Sequence, residues 1–183
     1  MRELSLNILD ICKNSTKAGA TRVEINLELD EAKDIFSIEI IDNGSGMDSE
    51  FLKNITDPFT TTRTTRKVGM GIPLFKMSAE QAEGEFQISS QKGVGTKVFA
   101  SYKISSVDRM PLGDFASTMQ LLIAGDPKID FILRVSNQSE RYDFSSKEVA
   151  NVVGEENMCE VEVINYVYEM IKENTFEILG GKL

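Results

Sequence analysis

Two runs of strict alternation constrain the fold more than any other feature: "RVEINLELD" at 22–30 and "IFSIEIID" at 35–42. A period of two puts Val23, Ile25, Leu27 and Leu29 on one side of the first and charged or polar residues on the other, the pattern of a half-buried strand. The polar turn "DEAKD" between them predicts an antiparallel hairpin. A sheet with one apolar face needs a cover. The opening stretch supplies one, since Leu4, Ile8, Ile11 and Ser15 share a face at helical spacing. After the hairpin the chain predicts a short helix at 49–54 and a polar loop, "TDPFTTTRTTRKVG". A helix follows from Ile72 to about Glu83, with Pro73 in its first turn, where the missing N–H costs nothing, and Gly84 at its end. "EFQISSQ" and "GTKVFASYKI" give two more alternating strands, the second with Val98, Ala100, Tyr102 and Ile104 on one face. This order predicts an α+β protein, a two-layer α/β sandwich with helices over one face of a mixed, mainly antiparallel sheet.

Past residue 105 the pattern changes. "SSVDRMPLGD" reads as a connector, 114–124 as a helix, and "KIDFILRV" with "RYDFS" as a hairpin around "SNQSE". Ser145 and Glu148 have capping-box spacing, and Val161, Ile164, Tyr168 and Ile171 mark a last amphipathic helix. The chain thus divides into a domain at 1–104 and a small α+β extension at 105–183. An extension of roughly 80 residues buries little by itself, so it is expected to pack on the first part or on another subunit. Two readings stand for the last helix: core packing, or an interface with a partner or in a homodimer.

The formal charge of −9 and pI near 4.7 count against binding a nucleic-acid backbone, which needs dense positive charge to displace counterions. The chain has no histidine, which removes a histidine phosphoacceptor, general base or metal ligand. Cys12 and Cys159 lack metal-ligand spacing and are expected to be buried thiols. No apolar run approaches the roughly 20 residues that span a bilayer, and the first residues lack the pattern of a signal peptide. The expectation is a cytoplasmic protein without a membrane partner.

Three polar features invite chemistry. Asn7, Asp10, Asn14 and Lys17 follow the i, i+3, i+4 rule along the first helix, as a solvated face or as the wall of a polar site. Asp42 ends a strand and is followed by Asn43-Gly44-Ser45-Gly46. That DxGxG forms either a plain turn or a pocket where a flat ligand approaches the backbone and an exocyclic amine meets the carboxylate. Gly69-Met70-Gly71 opens the helix at Ile72, to start the helix or to seat an anion on its amides.

Together, Asn14, "DNGSGM", "DPFTTTR", "GMGIPL" and "GVGT" resemble, in order and approximate spacing, the ATP-binding domain of the gyrase, histidine kinase and MutL superfamily, the GHKL or Bergerat-fold ATPases. The resemblance covers residues 1 to about 104. "KNSTKAGATRVEI" is most similar to the mismatch-repair members, "DPFTTTR" and "GMGIPL" to the histidine kinases. It implies that Asn14 is a Mg²⁺ ligand, an amide oxygen being a suitable hard donor beside triphosphate oxygens. It further implies that Lys17 lies near the phosphates and Asp42 binds adenine. Gly44, Gly46 and Met47 would shape the adenine pocket, and Thr96 would assist at the base. Gly69, Met70 and Gly71 would lie beneath the phosphates. Phe59 would join the nucleotide-binding residues, and Thr60 through Lys67 match the lid, whose Arg63, Arg66 and Lys67 either offset phosphate charge or form a solvated loop.

The sequence departs from the pattern where chemistry matters. Hydrolytic members usually have Glu four residues before the metal-binding Asn and histidine kinases Asn, whereas this chain has Asp10. Its carboxylate is one methylene shorter than that of Glu, leaving three roles open: general base, orderer of the metal's hydration shell, or inert polar residue. Lys67 replaces the first glycine of the usual GxGxG, and Pro73 stands where kinases often have Ser. With no histidine and no phosphoacceptor helices, self-phosphorylation on histidine is not expected. The resemblance implies a stand-alone protein that binds ATP and Mg²⁺. It would hydrolyse ATP slowly or phosphorylate Ser or Thr on a protein partner, as stand-alone anti-sigma-factor kinases do, or act as a non-catalytic ATP-dependent switch.

Overall fold

The computed structural model describes residues 3–55 and 71–181, and the expected lid lies outside them. The elements run α1 (Leu4–Lys17), β1 (Arg22–Asp30), β2 (Ile35–Asp42), α2 (Ser49–Ile55), α3 (Gly71–Gln81), β3 (Phe86–Gln91), β4 (Gly95–Lys103), α4 (Phe115–Gly125), β5 (Asp130–Ser136), β6 (Arg141–Ser145), α5 (Ser146–Val153) and α6 (Val161–Leu179). The strands form one six-stranded sheet in the order β3-β4-β2-β1-β5-β6. Four of the five pairings are antiparallel, and β1 with β5 is parallel. The fold is therefore the α+β two-layer sandwich that the alternation predicts.

Register shows how the alternation works. Ile25 lies opposite Ile40 on β2 and Leu133 on β5, and Ile38 lies opposite Ala100 on β4. All are buried, so one face of the sheet is apolar from β4 across to β5. α1 brings Leu4, Ile8 and Ile11 to this core, α3 brings Phe75 and Ala79, and α4 brings Phe115, Met119 and Leu122. The other face is polar: Glu24 pairs with Arg22 at 2.7 Å and with Arg134, while Glu39 pairs with Lys97 at 2.5 Å. Each of these partly exposed pairs contributes about 0–1 kcal/mol, so their main effect is to keep that face wet.

Residues beyond 105 enter the same sheet. The parallel β1–β5 pairing runs from Arg22 opposite Asp130 to Glu28 opposite Ser136, and α4 packs on α1. The first turn of α1 has no side-chain cap. Instead the Leu4 and Ser5 amides donate to the carbonyls of Pro111 and Leu112 at 3.0 and 2.9 Å. Ser145 caps α5, accepting from the Glu148 amide at 3.3 Å as its spacing predicts.

Three expectations need correction. On α6 the buried stripe is Ile164, Val167, Ile171, Thr175 and Ile178. Val161 is exposed and Tyr168 only half-buried, because the buried face runs through Val167, one position before Tyr168. Cys159 is exposed beside the start of α6, whereas Cys12 is fully buried as expected, with its thiol pushed up by burial and further by nearby Asp42. Asn7 does not share the exposure of its polar stripe: it is fully buried, and neither side-chain polar atom has a hydrogen-bond partner among the described residues.

Candidate functional site

The site gathers where the end of β2 meets the C-terminal turns of α1 and the start of β4. Asp42 is half-buried on the last position of β2. Its Oδ2 accepts from the Ser15 hydroxyl at 2.7 Å and its Oδ1 from the Gly44 amide at 2.9 Å. Two donors on different elements thus fix the plane of the carboxylate. Ser15 is buried on α1, one position past Asn14, so the helix that carries the expected metal ligand also orients the expected adenine-binding acid.

The DNGSGM turn is clamped on three sides. Asn43 Oδ1 accepts from the Thr21 and Arg22 amides, both at 2.9 Å, and its Nδ2 donates to the Thr21 hydroxyl at 2.9 Å. The Ser45 amide donates to the Ala18 carbonyl at 2.9 Å, and the Gly93 amide to the Ser45 carbonyl at 2.7 Å. Gly44 lies so close to α1 that an added Cβ would stand 3.1 Å from both Ala18 Cβ and Asp42 Oδ1. Gly46 is tighter: at φ +61° an added Cβ would lie 2.0 Å from the Gln91 carbonyl oxygen. Gly46→Ala is therefore expected to cost at least about 1–3 kcal/mol from backbone strain, before the clash with β3 is counted. Gly46→Asn should not rescue it, since Asn tolerates the left-handed region but still carries the Cβ. Thermal unfolding of both variants tests this, and an unchanged midpoint would contradict the close approach.

Thr96 stands directly opposite Asp42 across β2 and β4. Its hydroxyl lies 2.9 Å from Ser90 Oγ, which donates to the Gly95 carbonyl at 2.9 Å and accepts from the Met47 amide at 2.8 Å. Either hydroxyl can donate in the Ser90–Thr96 pair, so Ser90 links the Met47 amide, the Gly95 carbonyl and the Thr96 hydroxyl in one small network. Met47, half-buried and packed on the core, is tied to Thr96 through this serine.

Asp10 is exposed and flanks the first turn of α3. A Cβ added at Gly71 would lie 3.0 Å from Asp10 Cβ and 3.7 Å from its Oδ2, so only glycine leaves the space between the acid and the helix start free. Asn14, half-exposed, follows one turn later on α1, and Lys17 is exposed in its last turn. The structure thus brings Asp42 together with Gly44 and Thr96, ties Met47 to Thr96 through Ser90, places Gly46 against β3 and sets Asp10 beside Gly71. Phe59, Thr60, Arg63, Lys67, Gly69 and Met70 lie outside the described residues. Sequence reasoning missed Ser15, Asn43 and Ser90, which position the others.

Comparison with known proteins places the chain in a family. Residues 1–105 match the family described as histidine kinase-, DNA gyrase B-, and HSP90-like ATPase. The chain belongs to that family, and membership supports ATP binding. A putative sensor protein of Shewanella frigidimarina is 31% identical over 109 residues, which are 58% of this chain and 17% of that protein. The autoinducer 2 sensor kinase/phosphatase LuxQ of Vibrio cholerae is 29% identical over 142 residues, 74% of this chain and 16% of that protein. The chain therefore spans about a sixth of the length of these curated relatives. Among solved structures, the N-terminal domain of a DNA repair protein superposes with a TM-score of 0.57 at 16% identity, covering 84% of this chain and 57% of the other, a likeness of fold alone. No helix among the described residues is long and apolar enough to cross a membrane.

Proposed function

We propose that this chain binds Mg-ATP and either hydrolyses it slowly or transfers its γ-phosphoryl group to a serine or threonine hydroxyl of a protein partner. Adenine lies against Asp42 and Thr96. The held carboxylate accepts from the exocyclic amine, and the Thr96 hydroxyl stands beside it on β4. The triphosphate runs toward the start of α3, where Gly71 leaves the backbone open and the helix dipole favours negative charge. Asn14 and Lys17 contribute an amide oxygen and a cation from α1.

Magnesium fits this donor set. Among the described residues no group of three or more His, Cys, Asp or Glu side chains is suited to hold a metal. An ion here would depend on phosphate oxygens, water and the Asn14 amide, the usual manner of Mg²⁺ in nucleotide sites. Such an ion supplies charge neutralisation on the phosphates.

The observation that carries the catalytic reading is Asp10 beside Gly71 and one helical turn before Asn14. There its carboxylate faces the start of the helix on which the phosphates are seated, positioned to take the proton from an attacking water or hydroxyl as the bond to the γ-phosphorus forms and ADP leaves. Asp10→Asn keeps the shape and removes the base. The expected result is wild-type γ-phosphate release that falls by about 10²–10⁴-fold in the variant, with ATP affinity kept. Phosphate release and nucleotide binding measured in parallel decide it. Equal turnover in both proteins removes Asp10 from the chemistry, and tight binding without turnover in either favours an ATP-dependent switch.

A further inference from the structure

At the end of the sheet farthest from β3, a groove of about 540 Å³ opens between β6, α5 and α6. Its apolar lining includes Tyr142, Phe144, Val149, Val163 and Met170, while Val152 and Tyr166, also in the lining, are 86% and 68% exposed. β6 is the last strand of the sheet, and no described element lies beyond it. Val152 and Tyr166 therefore leave apolar side chains uncovered beside the groove on a chain that is 27% charged.

The charge around it identifies the occupant. Between Ser146 and Gly181 the chain carries eight Glu against two Lys and no Arg. Glu148 and Glu162 line the groove itself and make no ion pair among the described residues. Asp143, the third acid of the lining, is already answered by Arg141 at 2.7 Å and Arg134 at 3.4 Å. The Tyr142 hydroxyl is buried there without a hydrogen-bond partner among the described residues. Burial, reinforced by nearby Tyr166, pushes that phenol up to about 12, so it remains a neutral donor. The groove thus offers an apolar floor and two unanswered carboxylates.

We infer that this groove docks a basic amphipathic helix of a partner protein, with an apolar stripe seated on the valines, Tyr166 and Met170 and flanking Lys or Arg facing Glu148 and Glu162. Helix-in-groove recognition uses anchors at i, i+3, i+4 and i+7, and opposite charges on the rim set register and exclude wrong partners. A second copy of this chain fits badly. An isologous contact would set the same acidic rim against itself. The inference does not depend on the nucleotide reading, because the groove lies at β6, three strands away from the β2 strand that carries Asp42, and shares no lining residue with that site.

The test uses the full chain and a fluorescent Leu/Lys peptide of about 18 residues, five helical turns, with leucines at helical spacing. Wild type should bind it in fluorescence anisotropy at physiological salt. The charge-neutral double variant Val152→Ser/Tyr166→Ser should bind at least about tenfold more weakly. Glu148→Gln/Glu162→Gln should weaken binding and flatten its salt dependence, while Glu28→Gln/Glu85→Gln, two acids elsewhere, should change neither. All substituted residues are exposed, and melting curves with ATP affinity check that each variant is folded. Four results would overturn the inference: equal binding by Val152→Ser/Tyr166→Ser, equal binding of a Leu/Glu peptide, preference for the same residues rearranged to alternate as a strand, or a wild-type dimer that the serine variant dissolves.

Discussion

Asp42→Ala is expected to raise the dissociation constant for ATP by about tenfold to over a hundredfold, the equivalent of a charge-assisted hydrogen bond worth roughly 1.5–3 kcal/mol. The expectation rests on how firmly the carboxylate is held. The Ser15 hydroxyl at 2.7 Å and the Gly44 amide at 2.9 Å fix its orientation before any ligand arrives, so little ordering cost falls on binding. The same contacts warn that alanine also takes an acceptor from two donors. Ser15 keeps an alternative in the Ile11 carbonyl at 3.3 Å, but the Gly44 amide loses its partner. Some thermal stability should therefore be lost as well, and ATP affinity has to be measured where the variant is fully folded. Asp42→Asn separates the effects. It preserves an oxygen for Gly44 while placing an amide NH₂ where the carboxylate would accept from adenine, so affinity should fall with less loss of stability. Titration calorimetry on both variants decides the matter, and unchanged affinity in folded Asp42→Asn and Asp42→Ala would remove adenine from this position.

What was legible in the sequence had a short-range cause. The strand alternation, the helix-capping serine at 145 and the glycine turns each depend on neighbours within a few residues, and the structure shows the elements where those patterns put them. The site residues whose role is to orient others were not legible. Ser15 and Asp42 are 27 residues apart, and Met47 and Ser90 43 apart, so no local pattern distinguishes these serines from solvated ones. Asn7 shows the converse error. Its spacing placed it with Asp10 and Asn14 on a polar stripe, yet one turn nearer the N-terminus it is fully buried. Periodicity identifies a face but not how far along that face the cover extends. The parallel pairing of β1 with β5 was equally invisible, since nothing near either strand records which partner lies on its second edge.

That pairing leads to the second large effect: residues 1–105 expressed alone are expected not to form a folded monomer, although they carry the whole family match. Cutting there removes β5 and β6, leaving β1 as an open edge strand of alternating apolar residues, a template for aggregation. It also removes α4 and α6. Phe115, Met119, Leu122, Phe131, Leu133 and Val135 are at most 2% exposed, and their partners include the apolar faces of α1 and β1. Burying one such side chain contributes about 1.5–3 kcal/mol, so losing several removes an amount comparable to the roughly 5–15 kcal/mol by which a domain is stable. The first turn of α1 would further lose the Pro111 and Leu112 carbonyls that receive its amides. Because α1 carries Asp10, Asn14 and Ser15, the proposed nucleotide site should fail together with the fold. Amide dispersion in a proton–nitrogen correlation spectrum, with ATP titrated into the same sample, is the measurement. A dispersed spectrum that responds to ATP would show that the sheet tolerates an open β1 and that α1 holds its place without α4. An undispersed or aggregated sample would show that the second half of the chain is part of the machinery that builds the site.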